Sequence, residues 1–200
     1  LLTGVGWAAL ALTTVFGHDI VLALYGPTWL EAVPAILPLA LAAGAAMTFH
    51  YVPLAVTAIG RPYLSAVPIL VTLLARIGFA VLIYDGSLAG FAWALCLATL
   101  VTTPVIALQQ SRCLGLGALP LLRALLPSAA VALGSVLAGA ALMTLMPASL
   151  SPLARLLLIA PLLALVWYLL LRLTRHELVE EVHRLAAPVK TRLALLRPHP

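Results

Sequence analysis

An all-α, polytopic transmembrane bundle of about six spans is the fold this sequence predicts, on three observations. Of 200 residues, 64% are hydrophobic and only 8% charged, against roughly 25% charged in soluble domains. The mean hydropathy is +1.17. Apolar runs of about twenty residues recur along the chain, long enough to cross a hydrocarbon core of about 30 Å as helices. A transmembrane β-barrel would instead alternate in segments of about ten residues, a pattern this sequence lacks.

Taken in order, the segments are expected at 1–24, 32–59, 63–84, 87–109, 119–146 and 152–173. Gly17-His18-Asp19 interrupts the first, which predicts a truncated span over 1–16 and an interfacial turn over 20–25. The connection "YGPTWLE" follows, with turn chemistry at Gly26-Pro27. The second segment carries Ala40, Gly44 and Thr48 at close-packing spacing, and the fifth carries Gly134 and Ala138. The remaining connections, "GRP", "DGS", "QQSRCLGLG" and "PASLSP", are too short to hold a soluble domain. Pro34, Pro38, Pro53, Pro68, Pro104, Pro127 and Pro161 fall within the segments. Each removes a backbone hydrogen bond and predicts a bend, which membrane helices tolerate where neighbours or a cavity satisfy the freed carbonyls. Residues 174–200 form a tail of a different kind. Leu178, Val182, Leu185 and Val189 share one helical face among charges, which predicts an amphipathic helix on the inner leaflet.

The formal charge of +5 is spread over helix ends rather than gathered in a patch, so it argues for membrane topology and against nucleic acid. Arg61, Arg112, Arg123 and the tail fall on alternate connections. Asp19, Glu31 and Asp85 mark the others, with Arg155 as an exception. The positive-inside rule therefore puts the C-terminus in the cytoplasm. The chain begins at Leu1 inside an apolar run, without the charged flank and cleavage site of a signal peptide, and is expected to be the C-terminal part of a longer protein. Cys96 and Cys113 lack the paired spacing of a disulfide framework or metal site.

Arg76 is the formal charge that falls well inside a span. It either reaches toward the outer interface or faces an internal cavity, where intramembrane charges usually point. His50 and Tyr51, inside the second segment, are the other candidate substrate-binding residues, with packing as the plainer reading of His50. Catalysis has little support. Ser87 in "GSLAG" lacks the nucleophile-elbow spacing, and Asp85 has no carboxylate neighbour to complete an acid–base pair. No cofactor and no metal are expected.

The stretches "HDIVLALYGPTWLEAVPAILPLALAAG", "LAVTAIGRPYLSAVPIL" and "LGLGALPLLRALLPSAAVALGSVLAGAALM" resemble the C-terminal half of the bacterial polysaccharide exporters and lipid-linked oligosaccharide flippases. These belong to the multidrug/oligosaccharidyl-lipid/polysaccharide superfamily, and Gly26 and Trp29 carry its turn. The resemblance implies one lobe of a two-lobed transporter in the bacterial inner membrane, working by alternating access with an N-terminal lobe outside this sequence. Its expected partners are membrane lipids and a lipid-linked oligosaccharide from lipopolysaccharide, O-antigen, capsule or exopolysaccharide synthesis. Two alternatives are a multidrug or cation exporter of the same superfamily and a membrane-embedded O-antigen polymerase or ligase. The first would want a buried acidic site in mid-span, the second a large outer loop, and the sequence offers neither.

Overall fold

The computed structural model describes residues 1–115, 117–147, 149–182 and 184, which form helices joined by short turns, with no strand among them. In chain order they form α1 (Leu2–Val15), α2 (Gly17–Leu24), a 3-10 turn (Pro27–Ala32), α3 (Val33–Thr48) and α4 (Val52–Ala58). A second 3-10 turn (Pro62–Ser65), α5 (Ala66–Ile83), α6 (Leu88–Leu114), α7 (Ala118–Leu145) and α8 (Pro152–Leu173) follow. Pro27–Ala58, Pro62–Ile83, Leu88–Leu114, Leu119–Leu145 and Pro152–Leu173 are each long and apolar enough to cross a membrane. Joined, α1 and α2 are either a sixth span broken by a 77° bend or a re-entrant loop. The chain is built as a multi-pass helical membrane bundle.

Helix neighbours run α5–α6–α3–α1–α7–α8, and α2 folds back onto α8. α1 is central because it is made of small residues where it meets its neighbours. Gly4, Gly6 and Ala8 are buried, and without side chains in the way the helices approach closely enough for dispersion to hold them. Met47 of α3 sits over Gly6, while Gly139 of α7 leaves room for Leu12 and Phe16. Two indoles tie the same helix from either side. Trp7 donates to the Gly44 carbonyl at 2.9 Å and Trp167 to the Gly4 carbonyl at 3.2 Å. Gly44 and Ala40 line the α1–α3 contact, and Gly134 abuts Leu170 of α8, as their spacing predicts. α5 is the opposite case, with no buried residue. An all-round apolar helix that packs on one neighbour suits a lipid or protein surround, not water.

Three sequence expectations change. The first segment does break beside Gly17-His18-Asp19, but residues 17–24 form a helix rather than a turn, and the bend falls at Phe16, which is buried against Ile159 and Leu163. A fixed apolar wedge, not a proline, turns the chain here. The fourth segment continues past 109 to Leu114 and stops at Gly115, whose φ of 68° is the left-handed conformation that glycine adopts without strain. Gln109 and Gln110, read as boundary residues, lie inside this helix. Lastly, Pro34 and Pro53 open α3 and α4, and Pro68 lies in the first turn of α5. There the missing N–H has no helical partner to lose, so these three start helices rather than bend them. Pro38, Pro104, Pro127 and Pro161 remain interior.

The tail leaves α8 through a Schellman turn. His176 N–H donates to the Leu171 carbonyl at 2.9 Å and Arg175 N–H to that of Arg172 at 3.2 Å. Arg175 occupies the left-handed position with φ 50°, which costs a non-glycine residue roughly 1 kcal/mol. The turn drives His176 and Leu178 back into the bundle, where Leu178 joins a core with Ala8, Val131 and Leu171. The first apolar residue of the expected amphipathic face is thus buried against protein. Leu185 and Val189 lie outside the described residues.

Candidate substrate cleft

Ser65, Thr72 and Arg76 fall on one stripe of the Pro62–Ile83 span, because positions seven and four apart recur on the same helical face. That stripe, Val52 beside the α3–α4 break, and Ile106 and Gln109 of α6 enclose a cleft of about 420 Å³. Gln109 Nε2 donates to the Leu64 carbonyl at 2.7 Å, pinning the turn before α5 to the end of α6. Thr72 Oγ1 donates to the Pro68 carbonyl at 2.7 Å. Its walls are otherwise apolar.

Arg76 lines this cleft, which opens at the side of the bundle. It is solvent-accessible in the isolated chain, and its guanidinium has neither a hydrogen bond nor an ion pair among the described residues. Seven residues separate it from the end of α5, or about 10 Å of helix. His50 and Tyr51 sit in the break between α3 and α4, ring to ring at 5.2 Å in an edge-on contact. Both are exposed. The structure does not bring them together with Arg76. Tyr51 borders a different cavity of about 410 Å³, whose polar lining includes Thr3, Ser128, Arg175 and His176. His50 borders neither.

Two polar clusters escaped the sequence reading. At one end of the bundle Asp19, only 4% exposed at its side chain, accepts from Arg155 Nη1 at 3.1 and 3.4 Å. His18 Nδ1 lies 3.6 Å from the same carboxylate. The pair explains why Arg155 stands out from the charge alternation: its charge is neutralised on the acidic end by an acid from the first segment. A signal was present, since both residues map to the same end of the bundle. At the other end Thr3 Oγ1, Ser128 Oγ and His176 Nε2 form a chain at 2.9 and 3.0 Å. Leu178 N–H donates to His176 Nδ1 at 3.2 Å. Nothing local in the sequence signals this cluster, because its members come from three distant segments.

Asp85 and Ser87 take structural roles. Asp85 accepts from the Ser87 N–H and hydroxyl, and Ser87 Oγ caps α6 by accepting from Gly90 N–H. The two bonds from Ser87 hold the Asp85 carboxyl below its usual range. Among the described residues, no group of three or more His, Cys, Asp or Glu side chains is placed to hold a metal ion, and Cys96 and Cys113 are free thiols.

Fold and cleft define a class, a multi-pass helical membrane protein with an arginine-bearing lateral cleft. Compared with protein-family models, curated proteins and solved structures, the chain matches none.

Proposed function

We propose that this chain is one lobe of a bacterial inner-membrane transporter, not an enzyme, that flips or exports a lipid-linked oligosaccharide or polysaccharide precursor by alternating access. The observation that carries the reading is Arg76, a cation without a protein partner, about half-way along an apolar helix and facing a cleft open at the bundle's side. A guanidinium left in hydrocarbon costs about 2.5–3.5 kcal/mol on insertion scales, so it calls for an anion. A lipid pyrophosphate supplies one: its head group accepts the planar fork of the guanidinium in a setting where such pairs are strong. Its acyl chain follows the apolar walls, and its sugars extend toward the second lobe. A cation exporter of the same superfamily fits less well, because it would want a free acidic group in mid-span, whereas the buried Asp19 lies at one end of the bundle and is held by Arg155.

The test is polysaccharide export in cells whose own exporter is deleted. Arg76→Ala should cut export at unchanged protein level, and Arg76→Lys should recover part of it, since charge remains while the fork is lost. Wild-type export from both variants would end the reading of Arg76 as a head-group contact.

A further inference from the structure

The cluster at the α8 end has the parts of a switch. His176 is buried, 8% exposed, and its tautomer follows from its contacts. Nδ1 accepts from Leu178 N–H and therefore carries no proton. The neutral ring must hold its proton on Nε2, which donates to Ser128 Oγ, leaving the Ser128 hydroxyl to donate to Thr3. Space is equally tight. A Cβ on Gly4 would lie 2.7 Å from His176 Nε2 and 2.5 Å from Leu178 Cδ1. The ring thus closes against bare backbone of α1 and borders the cavity shared by Tyr51 and Ser128.

We propose that His176 is a proton-sensitive latch: neutral, it locks the tail onto α1 and α7 beside this cavity, and protonated, it releases the tail and opens that end of the bundle. A second ring proton has nowhere to go but Nδ1, where it would face the Leu178 N–H. The Nδ1 bond is then lost, and with it the anchor that holds Leu178 in the core. Burial also disfavours the cation and pushes the His176 pKa down, against an upward pull from Glu177. Of the other charged groups nearby, Arg175 borders the same cavity. α7 contributes Ser128 and α3 contributes Met47 and Thr48, all without charge. The sign is fixed by the direction of the shift. A histidine depressed in the closed state stabilises it fully above the ordinary value of 6.5 and loses that stabilisation as pH falls from there.

The test is hydrogen exchange by mass spectrometry on the protein in lipid nanodiscs, with rates corrected for the intrinsic effect of pH. Linkage to one proton predicts that protection over residues 174–182 and at the start of α1 falls by up to about tenfold per pH unit below 6.5. Protection at α6, distant from the latch, should stay flat. His176→Gln should abolish the pH dependence of the tail, while Glu177→Gln should retain it. The wild-type titration needs no variant to fold. Protection independent of pH in the wild type, or a pH dependence that survives in His176→Gln, would overturn the latch.

Discussion

Removing one member of the Asp19–Arg155 pair should destabilise the bundle far more than removing both. The two side chains are 4% and 18% exposed, so deleting the carboxylate leaves a guanidinium stranded in a largely dry site. Such orphaned charges cost about 3–5 kcal/mol. The lower end applies here, since Arg155 keeps some access to water and bonds through Nη1 alone, its Nε having no partner among the described residues. At roughly 2–4 °C per kcal/mol for a chain of this size, Asp19→Asn should lower the midpoint by about 6–12 °C. Asp19→Leu combined with Arg155→Met should recover most of the loss, because apolar replacement of both charges removes the desolvation penalty. Cys96, fully buried in α6, provides a built-in reporter. In a Cys113→Ser background, labelling by a thiol-reactive fluorophore during a thermal ramp reads the opening of the core. Single variants that melt within a degree of wild type, or a double variant no better than the singles, would refute the buried-pair argument.

Membrane sidedness can be checked by cysteine labelling in intact cells. Positions near Arg61 and Arg112 should label only after permeabilisation, and positions near Trp29 and Asp85 should label from outside; Asp85 and Arg112 on one side would overturn the map. The α1–α3 contact should behave as a coupled pair: Gly6→Ala pushes a Cβ into Met47, and Gly6→Ala with Met47→Ala should show a coupling of about 0.5–3 kcal/mol in the same thermal assay. Additive effects would mean that the two residues do not share that contact in the membrane.

Most of the fold was legible because it is written locally. Apolar runs set the spans, and turn chemistry at Gly26-Pro27, Gly60-Arg61-Pro62 and Asp85-Gly86-Ser87 set their ends. Errors arose where tertiary partners override local character. Gln109 and Gln110 look like a boundary, yet one finds the Leu64 carbonyl and the other is buried, so α6 runs on to its glycine stop. Phe16 reads as one more apolar residue, and only its packing against α8 reveals a bend. Prolines read as kinks because their effect depends on register, and register comes from the helix start. For the candidate site the sequence singled out Arg76 by its rarity but could not tell which way it pointed. His50 and Tyr51 were adjacent in sequence, yet the break between α3 and α4 sends them away from the cleft. The Thr3–Ser128–His176 cluster joins residues up to 173 positions apart, so no window along the chain contains it.

Photo-crosslinking from the cleft wall tests the central claim most directly. A photoreactive residue in place of Ile69 or Leu73, both bordering the Arg76 cleft, is irradiated in cells whose lipid-linked oligosaccharide carries a radiolabelled sugar. The transporter reading predicts a labelled adduct from these positions that is lost in Arg76→Ala, and none from Val81, which lies on the outer, 80%-exposed part of the same helix. Adducts to ordinary phospholipid alone, or sugar-labelled adducts equal at all three positions and indifferent to Arg76, would contradict it.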